Sequence, residues 1–465
     1  MLLERNHRHH VLKHLGFVSA RLGYHFDMKT IRTMRTMRTN GNFLIPSQLD
    51  SLLGTSWIRH HLYILGLDIV KLQLYQKFSH LLTVGGGGII KTVVFDLSSF
   101  IKRELKPNDM NSNTAQQLRD LVYFGSNSNN PPKEGGSESP EISNRHSISD
   151  FRWFFIAVGY MIVFQSENNI EDITDKIVNI YINSNNNRIL EDYNRQDDAS
   201  NSKILELAKE YYEKVPINRA KLYGNEPKYI TMFETKDYRI SLPPLPEIHN
   251  KELLAKSLMH KELYRGLLDP KHPFSKELKF RNIILDQKAY NIMKYDLSFL
   301  DGLGDFYLAR ESSNLLYKYR RYPNDNPLHQ FGRKSYNLLR TILATNTLLS
   351  ELALAYNLHQ GLDDVIVFRL LRKSYVPHLN QWKNSNSEFD NKDARRYEQE
   401  FIADYFEQYV GALFLEQPEV AQTWISEIYE NILLLISDVN KSTGAFKIYD
   451  YNAWSADVIG RSLYK

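Results

Sequence analysis

The sequence has no cysteine among its 465 residues. That removes a disulfide framework, thiolate zinc sites, iron–sulfur ligation and a cysteine nucleophile, and it fits a reducing compartment such as cytosol, nucleus or mitochondrial matrix. No run approaches the ~20 apolar residues of a membrane helix. The best candidate, Phe154 to Phe164, is short and follows Arg152, so it predicts a buried helix or strand and no membrane partner. No internal repeat with the ~20–50-residue period of solenoids is visible. Neither sign of charge dominates, since 58 basic residues stand against 54 acidic ones. Acids are scarce only at the start. Arg5, Arg8, Lys13, Arg21, Lys29, Arg32, Arg35 and Arg38 face only Glu4 and Asp27. Such a start reads either as a mitochondrial presequence or as a basic segment touching RNA. The remaining composition, 42% hydrophobic and 24% charged, is that of globular protein. At roughly 150 residues per domain the length predicts two or three domains.

Composition divides the chain further. Residues 1–124 form a basic N-terminal region of unknown role, with helical spacing over 48–82 and an apolar run from Ile89 to Phe95 after Gly85–Gly88. The glycine run imitates a phosphate loop, but Ile90 stands where the second glycine is required. His7, His9, His10 and His14 imply no closed metal site. Residues 125–147 (GSNSNNPPKEGGSESPEISNRHS) are a low-complexity linker, too poor in apolar side chains to offset the entropy of ordering. Residues 148–240 read as a small helical domain. Its end is marked by Pro243, Pro244 and Pro246, which fix an extended lead-in. Over 241–438 the segments 297–320, 333–357, 397–416 and 419–437 carry apolar residues at three- and four-residue spacing, with no convincing period-2 run. Residues 439–465 are a C-terminal tail.

Two acidic pairs stand out. Asp301 and Asp305 are spaced i, i+4, and Asp404 and Glu407 are spaced i, i+3, so each pair shares a helix face. Most such pairs are solvated surface. These two are embedded among Leu297, Leu300, Leu303 and Leu308 and among Phe401, Ile402, Phe406, Val410 and Leu413, where bare charge is unfavourable. Two acidic faces turned inward call for cations between them, and hard divalent ions take oxygen ligands. Converging carboxylates are suited to metal-assisted phosphodiester cleavage.

In order and spacing, three blocks resemble the ribonuclease III family: Ser298-Phe299-Leu300-Asp301-Gly302-Leu303-Gly304-Asp305, Asn346-Thr347-Leu348-Leu349-Ser350-Glu351-Leu352-Ala353, and Ala403-Asp404-Tyr405-Phe406-Glu407-Gln408-Tyr409-Val410-Gly411-Ala412. His260-Lys261 is similar to the His-Lys-Ser of the family's first helix, and the proline lead-in looks most like fungal nuclear ribonuclease III. The resemblance covers about 245–438. The first block departs from the signature: Asp301 replaces a Glu, Ser298 an earlier Glu, and Gly302 a Phe. A second gapping, which aligns Asp296-Leu297-Ser298-Phe299-Leu300 with the signature, stays open.

The resemblance implies an all-α fold, a ribonuclease III endonuclease domain preceded by a mostly helical N-terminal region. It also implies a hydrolase that cuts double-stranded RNA during processing of ribosomal or small RNA precursors. Asp301, Asp305, Asp404 and Glu407 would hold Mg²⁺, with Mn²⁺ as substitute, and Asp305 and Glu407 would be catalytic. A homodimer is implied, and the apolar stretch Val410 to Leu415 predicts it independently, being more apolar than one surface helix needs. The tail after Asp438 is too short for the family's RNA-binding module, which leaves the basic N-terminus as the source of RNA affinity. The lead-in suggests the nucleus. The alternative is a catalytically inactive relative that serves as a structural protein of the mitochondrial large ribosomal subunit.

Overall fold

The computed structural model describes residues 56–78, 97, 99–105, 113–122, 152, 154–159, 168–184, 198–231, 239–261, 287–321, 333–362 and 388–443. The basic segment 1–55, the glycine run with the apolar stretch after it, the linker 125–147 and the end of the tail lie outside these. The described residues are 81% helix, which makes the all-α class plain.

The chain divides into two compact units. The first comprises residues 1–74 and 93–194, and the second 75–92 and 195–465. The division after Asn194 falls inside the 148–240 stretch that composition alone treats as one domain.

In the first unit lie most of α1 (Ser56–Phe78), α2 (Asn113–Val122) and α3 (Asn168–Ser184). At the start of the run predicted to be a buried helix or strand, Phe154 and Phe155 are helical and buried, with rings edge to face at 5.2 Å. Gly66 lets α1 touch the backbone there, since a Cβ would come within 2.0 Å of the Phe155 carbonyl.

The second unit opens with α4 (Asp198–Lys214), the short α5 (Arg219–Leu222) and an antiparallel hairpin of β1 (Tyr229–Thr231) and β2 (Arg239–Ser241). The hairpin corrects the all-helical reading of 148–240; its three-residue strands are too short to leave a readable alternation. Helices follow: α6 (Lys251–Leu258), α7 (Gln287–Arg321), α8 (Arg333–Leu343), α9 (Asn346–Ala355), α10 (Glu388–Glu416) and α11 (Pro418–Thr443). Asn250 caps α6 by accepting from the Leu253 N–H, and Thr345 caps α9 by accepting from Leu348; such caps satisfy donors that the first turn leaves free.

The organising element is α10. From Phe401 to Phe414 every residue is buried, the polar Asp404, Glu407 and Gln408 included. It packs against α6, α7, α9 and α11. The apolar stretch from Val410 to Leu415 is therefore accounted for by burial within its own unit and no longer argues for a dimer. The window Leu338–Ala355 has the mean hydropathy of a membrane span. It is two helices, however, broken at the Thr345 cap, with Thr347 and Ser350 buried in the unit.

The proline lead-in is fastened to the ends of α9 and α10. Tyr409 donates its hydroxyl to the Pro246 carbonyl at 2.5 Å, and Tyr356 donates to the Pro243 carbonyl at 2.8 Å. The Glu416 carboxylate accepts from the N–H groups of His249 and Asn250. Extended backbone thus finds partners that no neighbouring strand supplies.

Candidate metal centre

Helices α7 and α10 cross at two glycines. A Cβ on Gly304 would lie 1.9 Å from the Glu407 carbonyl oxygen, and one on Gly411 would lie 2.2 Å from that of Leu300. No side chain fits at either point, so the backbones touch. Asp301 lies one turn before Gly304, and Asp404 and Glu407 lie within two turns before Gly411. Backbone contact therefore brings the acids of the first and third blocks together. One oxygen from each of Asp301, Asp404 and Glu407 lies within 4.8 Å of the others, and all three residues are buried.

Asp305 stands apart from this group. An i+4 step turns the side chain about 40° further round and a turn further along the helix, and Asp305 is exposed. Its charge still reaches Glu407. Asp296 answers the open gapping. It pairs with the buried Lys256 at 3.3 Å, and Lys256 also meets Glu252 at 2.8 Å. Asp301, not Asp296, is the acid that joins the third block.

A cation of the chain already lies among the acids. Lys261 donates to Asp301 Oδ2 at 2.8 Å and lies 3.0 Å from Asp404 Oδ2. The segment that carries it is tied to α10 from two sides. Gln408 donates to the Met259 carbonyl at 3.0 Å, and His260 Nε2 lies 2.8 Å from the Phe401 carbonyl. A carbonyl only accepts, so Nε2 carries the proton. That nitrogen is 3.2 Å from Asp404 Oδ2, and the ring stacks on Phe401 with centroids 3.9 Å apart.

Burial is the leading influence on the acids. It pushes the Asp301 carboxyl above the usual carboxylate range, helped by the charge of Asp404 and opposed by Lys261. Burial likewise raises Asp404, against the pull of Lys261. Glu407 is raised well above the usual range, by burial and then by Asp301, Asp404 and Asp305. Burial and mutual repulsion thus disfavour the charged form of all three acids.

The donor set fits a hard divalent ion. All three ligands are carboxylate oxygens, the kind Mg²⁺ and Mn²⁺ take and softer metals do not prefer. Asp301 Oδ1 is buried without a hydrogen-bond partner, an oxygen whose burial is uncompensated until something positive reaches it.

One residue at the site had no signal in the sequence. Tyr75 is buried, its ring packs on Phe299 and Phe306 at 5.1 and 5.2 Å, and its hydroxyl would lie 2.7 Å from a Cβ on Gly302. The Tyr75 ring fills the space that a side chain at position 302 would need. Burial, then Asp301 and Asp305, raise its hydroxyl well above the usual range, so it stays a neutral donor.

Compared with family models, with curated proteins and with solved structures, the chain matches none.

Proposed function

We propose that this chain is a divalent-metal-dependent endoribonuclease of ribonuclease III type that acts on double-stranded RNA. The observation that carries the proposal is the meeting of Asp301 with Asp404 and Glu407 at the glycine crossing of α7 and α10. Ordinary surface acids have no reason to converge in a buried place.

In this reading Asp301, Asp404 and Glu407 hold Mg²⁺, or Mn²⁺ in its place, and Asp305 lies at the exposed edge towards the substrate. The chemistry such an ion supplies when bound is ionisation of a water and stabilisation of charge on the phosphate. The chain's own part is to hold the acids in place through the glycine contact, and to keep a neutral phenol, Tyr75, beside Asp301. Duplex RNA would be recognised by shape and 2′-hydroxyls, with phosphate contacts from the basic N-terminal segment. A homodimer would cut both strands, and ribosomal or small RNA precursors in the nucleus are the substrates proposed.

One observation favours a second reading. Lys261 already partly neutralises Asp301 and Asp404, as a chain that had given up metal would require. That reading is the structural protein of the mitochondrial large ribosomal subunit.

The full chain incubated with Mg²⁺ and long duplex RNA should yield products with 5′-phosphates and short 3′ overhangs. Asp404→Asn should abolish cutting while RNA binding persists. No Mg²⁺-dependent cutting of several duplexes, together with recovery of the protein in purified mitochondrial ribosomes, would favour the structural reading.

A further inference from the structure

Lys261 presents a conflict that the metal reading alone does not resolve. Its ammonium lies within hydrogen-bond distance of Asp301 Oδ2 and within 3.0 Å of Asp404 Oδ2. A divalent ion on the same carboxylates would use lone pairs that the ammonium now engages. It would also stand within a few ångströms of a fixed positive charge, and like charges so close in a buried site repel strongly. Glu407, by contrast, has no hydrogen-bond or ion-pair partner among the described residues and awaits a cation. Retreat is open to Lys261. About a fifth of its side chain is exposed (22%), and its ammonium rides on a flexible four-carbon stem that can turn to water. His260 beside it cannot follow, being held against Phe401 and fully enclosed.

We propose that Lys261 is a resident cation that competes with the divalent metal for Asp301 and Asp404, so that metal enters only as Lys261 withdraws. The inference rests on the metal reading above. Lys261 thereby keeps the acids assembled before metal arrives and weakens the site's affinity for it, making occupancy respond to metal concentration.

The probe is Mn²⁺ alone, titrated into the full chain and followed by the electron paramagnetic resonance signal of the free ion. Lys261→Gln removes the charge at similar length and should bind Mn²⁺ at least tenfold more tightly than wild type. Lys261→Arg keeps the charge and should bind no more tightly than wild type. Equal or weaker binding by the Gln variant, with wild type binding, would overturn the competition and leave the metal site standing. No binding by either would overturn both.

A second measurement needs no variant. In wild-type protein, acylation of Lys261 by an amine reagent, read by mass spectrometry, should rise severalfold when Mn²⁺ is added. Unchanged or reduced labelling at saturating Mn²⁺ would contradict expulsion.

Discussion

Gly304 rests directly on the carbonyl oxygen of Glu407, leaving no room for even one methyl group, since a Cβ would stand 1.9 Å from that oxygen. The contact joins two helices and sets the separation of the acids they carry. Gly304→Ala must therefore push α7 from α10. Overpacking of this kind costs about 1–3 kcal/mol and more where backbone must move, and it outweighs the ~1 kcal/mol that Ala gains over Gly in a helix. Urea unfolding should show a loss of about 3 kcal/mol by the same principle. A variant as stable as wild type would mean that the helices do not touch there.

The site also predicts a dependence on pH. Burial and mutual repulsion raise the Asp301, Asp404 and Glu407 carboxyls in the folded state, with the Lys261 ammonium opposing and Asp305 adding to the effect on Glu407. Asp296 is pushed up to about 6 by burial, against the pull of Lys256. A group raised in this way contributes stability that is fully present below its unfolded pKa and is lost as pH rises through its folded pKa, because the unfolded chain releases its proton first. Metal-free protein should therefore lose stability as pH rises from about 4 through about 6, by ~1 kcal/mol or more if one group moves by a pKa unit. Glu407→Gln should flatten the slope. Denaturant midpoints at several pH values in EDTA give the answer, and a flat or rising profile would show that the acids are not protonated in the fold.

Gly302 and Tyr75 form a second testable pair. Alanine at 302 would set its Cβ 2.7 Å from the Tyr75 hydroxyl and 3.2 Å from the ring carbon that bears it. In wild type the crowding should exceed the helix gain and cost about 1 kcal/mol net. With Tyr75→Phe the oxygen is gone, and the same Ala should become neutral or stabilising. A double-mutant cycle measures this coupling directly. Additive effects would place Tyr75 away from Gly302.

Much of the second unit was legible because its helices are long and their apolar spacing is regular. The acids of the first and third blocks were legible because charges stood inside apolar runs. What could not be read was three-dimensional. A helix-face argument gives Asp301 and Asp305 the same direction, yet the extra 40° and one turn of rise leave Asp305 exposed. Lys261 lies 40 residues before Asp301, and nothing local ties the two together. Tyr75 belongs by sequence to a helix of the N-terminal region, where its neighbours read only as core. The choice between Asp296 and Asp301 rested on Lys256, whose ion pair no linear pattern displays.

Thermal unfolding with and without metal tests most directly whether the three buried acids hold a cation. An ion that binds only the folded chain stabilises it by RT ln(1 + [L]/Kd), roughly 2.7 kcal/mol at a hundredfold excess over Kd. Millimolar Mg²⁺ or Mn²⁺ should therefore raise the melting temperature of wild type by several degrees over EDTA. Asp404→Asn with Glu407→Gln should abolish that rise, and relief of repulsion should leave the metal-free variant at least as stable as metal-free wild type. If wild type and variant melt alike with and without metal, the acids hold no ion and the nuclease assignment falls.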